Sequence, residues 1–332
     1  MLESILKFSI ERSKLILVFV LAFATLGAWN FTKLPIDAVP DITNVQVVIN
    51  TEVPGYTPLE VEQRVTYPLE TALAGLPNLE YTRSVSRYGL SQVVAIFRDD
   101  TDIYFARQLV GEKLNSAKSE LPFGMEPELG PISTGLGEIF MFTVDAIPGA
   151  LNPDGSEITA TDLRTVHDWI IRPQLMQVEG VVEVNPIGGY DREILVAIEP
   201  ELLLAHGLSQ KDVIEAVAAH NQNRGAGFIE RNGAQWLVRL PGQLEDLQQL
   251  ANVPVASYDG RVLRISDVAK VQEGKELRSG AATQNGWEVV LSTVFMLIGE
   301  NSQKVAKDVG ERLAEINKSL PEGVVANAVY DR

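Results

Sequence analysis

The side chains in this sequence that could carry out chemistry are mainly carboxylates. The chain contains 44 Asp and Glu residues, three His and no Cys. It has no serine-nucleophile, phosphate-binding or HExxH zinc motif, so none of these sites is predicted. Carboxylates without thiolates suit divalent cations that accept oxygen ligands. The residue types therefore favour a cation site over a nucleophilic centre.

Glu138 and Asp168 are the two carboxylates that could converge on one cation. Glu138 leads a predicted strand, and Asp168 lies on a helix expected to pack beside that strand. However, a carboxylate on a helix usually belongs to a solvated face, and Arg164 and Arg172 lie one turn away on either side of Asp168. A structural salt bridge is therefore the alternative for Asp168. Both interpretations remain open from these residues alone.

The other acidic candidates and the histidines have simpler interpretations. Asp102 is expected to cap a helix, and the neighbouring carboxylates to lie in a loop. The histidines lack the mutual spacing of a zinc site and are each expected to be an exposed helix or cap residue. They are His167, His206 and His220.

The methionines give no sign of a site for a soft metal. They are few and follow no pattern, so those in the predicted domains are expected to fill the core. These are Met141, Met176 and Met296. A thioether relay for Cu(I) or Ag(I) is therefore not supported.

One apolar segment is expected to cross a membrane. Residues 15–31 carry no charge, and at about 1.5 Å per residue they span roughly 25 Å, the short end of a transmembrane helix. Basic residues precede the segment, which places the N-terminus in the cytoplasm and residues after about 33 in the periplasm. Residues 2–10 are expected to form an interfacial turn. A signal peptide cleaved near Ala24 is the alternative.

Composition predicts a globular remainder of two or three domains. Hydrophobic residues make up 45% of the 332 residues and charged residues 22%, which is ordinary for packed proteins. The formal net charge of −16 argues against nucleic acid and is compatible with cations. Without Cys, stability must come from the core alone.

Local patterns predict the order β, α, β, β, α after the apolar segment. The strands are expected at 45–49, 79–85 and 90–97. Thr57, Pro58 and Glu60 form a capping-box signature for the first helix, and Asp102 is expected to begin the second.

The chain then repeats itself at a fixed offset. Residues 110–114 (VGEKL) match 309–313 (VGERL), an offset of 199 residues. Pro68 and Pro173 give a weaker match at an offset of 105. One duplication should show one offset, so the difference implies an insertion of about 94 residues, expected at 188–281.

The predicted fold class is therefore α+β. One N-terminal transmembrane helix is followed by two ferredoxin-like split βαβ sandwiches, the second interrupted by an inserted α+β docking module. The predicted boundaries are 1–33 for the anchor, 34–133 for the first sandwich, 134–187 plus 282–332 for the second, and 188–281 for the insertion. The insertion contains a hairpin around Asn232-Gly233, which could be an interaction arm or could pack within its own module.

Five sequence runs resemble one protein family. They are LPIDAVPD at 34–41, PGYTPLEVE at 54–62, SRYGLSQ at 86–92, TDIYFAR at 101–107 and GPISTGLGE at 130–138. They resemble the heavy-metal efflux branch of the resistance-nodulation-division (RND) pumps, closest to the cobalt-zinc-cadmium (CzcA-like) type. The resemblance covers the whole chain.

The resemblance implies a transporter and not an enzyme. It implies a homotrimeric inner-membrane proton/cation antiporter, embedded in membrane lipid, that exports zinc, cobalt or cadmium as substrate and binds no permanent cofactor. The implied partners are a periplasmic adaptor and an outer-membrane channel, with no nucleic acid. A single-anchor periplasmic binding module and a drug-exporting RND pump are the alternatives.

The resemblance also implies roles for the predicted domains. The two sandwiches would be the first and second porter subdomains, and the insertion would be half of the docking subdomain, whose hairpin would contact a neighbouring protomer. Glu138 and Asp168 would lie near a distal periplasmic cation site. The family has about a thousand residues, so this chain is expected to be an N-terminal portion whose proton relay lies beyond Arg332.

Overall fold

The apolar segment forms a single helix, α1, at Ser13–Phe31. The computed structural model describes residues 9–31, 43–133, 135–240, 242–258, 260–276 and 280–332. Within these ranges α1 is the one helix long and apolar enough to cross a membrane, and none of its residues is buried in the protein. The motif at 34–41 and most of the predicted interfacial turn lie outside the described residues.

The first sandwich is a four-stranded antiparallel sheet with two helices on one face. Its strands lie in the order β2-β3-β1-β4, which is the ferredoxin-like order. Helix α2 has three consecutive segments, Pro58–Val61, Glu62–Thr66 and Tyr67–Leu73, of which the middle one is a π-type turn. The other elements are β1 Gln46–Glu52, β2 Leu79–Arg87, β3 Leu90–Phe97, α3 Ile103–Ala117 and β4 Pro127–Leu129.

Local signals explain where these helices begin. Thr57 and Glu60 form the predicted capping box, in which each side chain bonds the backbone N–H of the other residue. Asp102 accepts a hydrogen bond from the N–H of Phe105 and so caps α3. The buried side chains of both helices then pack on the inner face of the sheet to form one apolar core.

The second sandwich repeats this topology. Strands β6, β14, β5 and β15 lie side by side in that order, and a short strand, β13, also pairs with β14. Helix α4 again has three segments, Ala160–Val166, His167–Ile171 and Arg172–Leu175, with a π-type turn in the middle. The other elements are β5 Glu138–Ala146, β6 Val181–Ile187, β13 Ala282–Gln284, β14 Trp287–Met296, α8 Ser302–Ile316 and β15 Val324–Asp331. The predicted α+β fold class is confirmed.

Both sequence offsets reappear as structural equivalences. Helices α3 and α8 begin and end 199 residues apart. The two π-type turns, Glu62–Thr66 and His167–Ile171, are 105 residues apart, and each precedes a proline. Proline lacks the N–H that a regular helix would use, so a wider turn before it relieves the broken hydrogen-bond ladder.

The elements between β6 and β13 pack separately. Strands β7 and β12 form an antiparallel ribbon, and a small core surrounds Leu250 and Ile265. The elements are β7 Arg192–Ile198, α5 Pro200–Ala205, α6 Gln210–His220, β8 Arg224–Arg231, β9 Ala234–Leu240, α7 Leu247–Ala251, β10 Pro254–Tyr258, β11 Arg261–Arg264 and β12 Ala269–Lys275.

The predicted hairpin in this region is β8 and β9. Asn232 and Gly233 have φ angles of 54° and 75°, as a two-residue hairpin turn requires. Among the described strands β8 and β9 pair with each other alone. Phe228, Ile229 and Trp236 each remain more than half exposed. The hairpin is therefore an exposed arm within this chain.

Candidate cation-binding residues and their surroundings

The π-type turn of α4 determines which side chains face the core. Regular helical spacing would place Leu163, Val166 and Ile170 on one face. In the structure the fully buried positions of α4 are four residues apart at 163, 167, 171 and 175. Residues four apart lie near one face of a regular helix, and the wider turn keeps the later positions, 171 and 175, on that face as well. His167 is therefore 0% exposed, and the expectation that it is an exposed helix residue is wrong.

His167 bridges Asp168 and the central sheet. Its Nδ1 lies 2.7 Å from Asp168 Oδ1, and its Nε2 lies 2.9 Å from the hydroxyl of Ser292 on β14. Its ring stacks against Phe142 of β5 with centroids 6.0 Å apart. Because an ionised carboxylate only accepts, the Nδ1–H donates to Asp168, and Nε2 of the neutral imidazole then accepts from the hydroxyl of Ser292.

The surroundings fix the charges of this pair. Burial lowers the pKa of His167, and the hydrogen bond and charge of Asp168 oppose that effect only in part. Burial acts to raise the pKa of Asp168, but hydrogen bonds from His167 and Arg164 outweigh it and lower the pKa. At neutral pH the network therefore contains a neutral imidazole and an ionised carboxylate.

Asp168 also forms the salt bridge that the sequence offered as an alternative. Arg164 Nε lies 2.7 Å from Asp168 Oδ2. The Arg164 side chain is 21% exposed and that of Asp168 is 22% exposed. Both carboxylate oxygens thus have protein partners, and a cation that bound Asp168 would have to displace one of them.

Glu138 is half-buried at the first position of β5. A short helical turn, Gly135–Gly137, precedes it, and a Cβ on Gly137 would lie 3.1 Å from the carbonyl of Met296. These glycines shape the entry into the strand. In the pairing register Glu138 lies opposite Phe295 of β14.

The structure places Glu138 and Asp168 at different levels of the sheet. Ser292, the partner of His167, lies opposite Phe142, four residues along β5 from Glu138. Four residues of strand cover about 14 Å. Within the described ranges no group of three or more His, Asp or Glu side chains is arranged to hold a metal ion. Each carboxylate is therefore placed as a separate candidate.

The order hydroxyl, imidazole, carboxylate in Ser292, His167 and Asp168 is also that of serine hydrolases. A nucleophile must reach its substrate, yet both Ser292 and His167 are 0% exposed. The arrangement is therefore a structural connection between α4 and β14 and not a catalytic centre.

The first sandwich holds a related polar group without charge. Thr66 of α2 lies 2.8 Å from the hydroxyls of both Ser86 and Ser91, which belong to β2 and β3. Thr51 of β1 lies opposite Ser91 and is 1% exposed, and its hydroxyl has no hydrogen-bond partner in the described part of the chain. No sequence signal had singled out these hydroxyls.

The remaining candidates lie apart from this network. Asp99 and Asp100 are exposed in the loop before α3. His206 ends α5, and His220 lies in the last turn of α6. Met296 is buried as predicted, but Met176 is 41% exposed, so it was wrong to expect it in the core.

Three comparisons with known proteins agree on one family. The model of the AcrB/AcrD/AcrF family matches residues 5–332. Cation efflux system protein CzcA of Alcaligenes sp. (strain CT14) is 56% identical over 332 residues, which are 100% of this chain and 31% of that protein. The cobalt-zinc-cadmium resistance protein CzcA of Cupriavidus metallidurans is 55% identical with the same coverage.

A solved structure shares the fold. It is described as an X-ray crystal structure of a heavy metal efflux pump, and it superposes with a TM-score of 0.83 at 28% identity. The match covers 96% of this chain and 31% of that chain. The present chain therefore spans about a third of the length of the proteins it matches.

Proposed function

The chain belongs to the AcrB/AcrD/AcrF family, and on that basis we propose that it forms part of a proton-driven exporter of zinc, cobalt or cadmium ions. The resemblance to heavy-metal efflux proteins that the sequence motifs indicated is confirmed by the whole-chain identities of 56% and 55%. The exporter would lie in the inner membrane as a homotrimer and work with a periplasmic adaptor and an outer-membrane channel.

The observation that carries this proposal is the similarity of the whole chain to relatives named for these metals. The identity of 55% to the cobalt-zinc-cadmium resistance protein extends over 332 residues, and thus over the anchor, both sandwiches and the inserted elements alike. The chemistry agrees, because a chain with a net charge of −16 and no Cys offers oxygen ligands rather than thiolates.

Each structural unit would have its own task. Helix α1 would anchor the chain, with the residues after about 33 in the periplasm. The sandwiches at 34–133 and at 134–187 plus 282–332 would be two porter subdomains. The elements at 188–281 would form part of a docking subdomain, and their exposed hairpin would contact a neighbouring protomer.

Glu138 and Asp168 are the proposed contacts for the exported cation. Asp168 is held by His167, which stacks on Phe142, and Phe142 lies about 14 Å along β5 from Glu138. This separation suits two successive positions on a path better than one shared site. Asp168 is the more constrained of the two, because Arg164 and His167 occupy its oxygens at 2.7 Å.

The test of function uses the intact protein in cells and in membrane vesicles. Expression in a metal-sensitive strain should raise tolerance to zinc, cobalt or cadmium, and an imposed pH gradient should drive uptake of the same ions into everted vesicles. Absence of both effects would overturn the proposal. Tolerance without any response to the pH gradient would remove proton coupling from it.

The test of the two carboxylates compares three variants. Glu138→Ala and Asp168→Asn, singly and together, should lower metal tolerance while trimers still form, as measured by native electrophoresis of detergent extracts. Asp99→Ala, which removes an exposed loop carboxylate, is the matched control and should leave tolerance unchanged. Normal tolerance of the double variant at normal protein levels would exclude both residues.

A further inference from the structure

Arg164 occupies the place where the second sandwich meets the inserted elements. Its guanidinium has three partners at once. Nε donates to Asp168 at 2.7 Å, Nη1 donates to the carbonyl of Gly188 at 3.3 Å, and Nη2 lies 3.4 Å from Asp191 Oδ1. The last two partners lie on the segment that leads from β6 into β7. One side chain thus connects a candidate cation ligand with the connection between two structural units.

That connection, residues 188–192, is held tightly and is hereafter called the joint. Gly188 and Gly189 have φ angles of 86° and 68°. A Cβ on Gly188 would lie 2.8 Å from the carbonyl of Val289, and one on Gly189 would lie 2.8 Å from the carbonyl of Ala160. The chain therefore leaves the sandwich through a packed contact and not through a loose linker.

Two ion pairs hold the joint against α4, and the arginine belongs to the helix in one pair and to the joint in the other. Arg164 reaches from the helix to Asp191 of the joint, and Arg192 of the joint reaches back to Asp162 of the helix at 2.7 Å. The returning strand is tied in as well, because the N–H of Glu276 donates to the carbonyl of Asp191 at 3.2 Å. Displacing Arg164 would remove its two contacts with the joint while the Arg192 pair remained.

We propose that Arg164 links cation binding at Asp168 to the joint. A divalent cation on the Asp168 carboxylate would replace the Arg164 Nε–H and repel the guanidinium, which would then release Gly188 and Asp191. Occupancy of Asp168 would thereby loosen the attachment of the inserted elements, and a loosened joint would in turn alter the affinity for the cation. The link rests on the proposed function, since it needs a divalent cation as substrate. Arg164 is a positioning residue in this scheme.

The geometry of the side chain makes the link specific to arginine. A planar guanidinium presents donors in three fixed directions, whereas a lysine ammonium is a single point charge that cannot reach three separated partners together. Arg164→Lys should keep an ion pair with Asp168 and lose the connection to the joint. Arg172→Lys makes the same change at an exposed position of the same helix and is the matched control.

The first experiment measures the joint directly. Spin labels are placed in the intact, detergent-solubilised protein by Lys211→Cys on α6 and Lys307→Cys on α8, any other cysteine having been replaced. Both lysine side chains are more than 70% exposed. Added Zn²⁺ should shift or broaden the distance distribution in the otherwise unaltered protein and in Arg172→Lys. Arg164→Lys should show no such response to Zn²⁺.

The second experiment tests the reverse effect, that of the joint on the affinity for the cation, and changes no side chain of α4. Asp191→Asn removes one of the Arg164 contacts that cation binding would have to break. Zinc affinity measured by calorimetry should therefore rise by about fivefold or more, the lower range of ordinary allosteric coupling. A purely structural role of Asp191 predicts unchanged affinity.

The outcomes separate the link from the function. Zinc tolerance with Asp168-dependent zinc binding but no change in the label distances would overturn the link alone, as would a full response in Arg164→Lys. Zinc tolerance without Asp168-dependent binding would also reject the link and leave export intact. Loss of tolerance, transport and zinc binding together would overturn both.

Discussion

Two buried hydroxyls, one in each sandwich, should have opposite effects on the stability of their sandwich when they are removed. Ser292 is 0% exposed and donates to Nε2 of His167 at 2.9 Å. Ser292→Ala would leave that imidazole nitrogen buried and without a partner. An orphaned buried polar atom costs about 1–3 kcal/mol, and the small side chain removed leaves little cavity to add to that cost.

Thr51 provides the matched opposite case. It is 1% exposed, and its hydroxyl has no partner among the described residues. Thr51→Val removes a hydroxyl that loses its contact with water on folding and gains no hydrogen bond among the described residues. It keeps the branched shape of the side chain. The first sandwich should therefore gain about 1 kcal/mol of stability.

Hydrogen exchange of the intact protein resolves both effects, because each strand reports on its own unit. Protection of β14 amides should fall about 5- to 160-fold in Ser292→Ala, which corresponds to 1–3 kcal/mol. Protection of β1 amides should rise about fivefold in Thr51→Val. Unchanged β14 protection would show that the His167 network adds no stability. A fall at β1 would show that Thr51 has a partner and would refute the reasoning from burial.

Two further predictions concern the joint and its neighbour. Gly189→Ala should lower the melting temperature more than Gly233→Ala. Both sites require a left-handed backbone, which costs about 1–2 kcal/mol for alanine, but only at Gly189 would the new Cβ also lie 2.8 Å from Arg164 Cβ. Equal losses in thermal unfolding would contradict the packing argument. Burial acts to raise the pKa of Asp162, but hydrogen bonds from Thr159 and Asn152 and the charge of Arg192 outweigh it and lower the pKa. The ionised carboxylate therefore stabilises the folded protein at any pH above the unfolded-state pKa of about 3.9, and this stabilisation is lost as the pH falls through the folded-state pKa. The melting temperatures of the unaltered protein and Asp162→Asn should therefore converge below about pH 4, and a constant difference would refute this assignment.

Much of the fold could be predicted because its signals are local or repeated. The capping box at Thr57 and Glu60 marks the start of α2 without reference to tertiary structure. The offset of 199 residues between α3 and α8 needs no propensity argument at all. With the second offset of 105 residues between Pro68 and Pro173, it predicts two copies of one sandwich with an insertion in the second.

The environment of Asp168 could be predicted only in part. The Arg164 salt bridge follows from helical spacing and was foreseen as an alternative. Burial of His167 was missed because histidine was expected at an exposed position by its residue type, although it lies four residues after Leu163 and so on the same helical face. Pro173 was the available signal for the π-type turn that follows, since an internal proline often accompanies such a turn. The partner Ser292 is 125 residues away in sequence, and only the folded sheet brings it into contact.

The two polar groups beneath α2 and α4 differ in charge between the two copies of the sandwich. Thr66, Ser86 and Ser91 carry no charge, so neither metal ions nor pH changes near neutrality alter their bonds. His167 and Asp168 occupy a comparable place in the second copy with an ionised carboxylate. The buried polar group of the first copy is thus uncharged, whereas that of the second contains an ionised carboxylate. Under the proposed link, a bound cation would therefore act on the second sandwich and leave the polar group of the first unchanged.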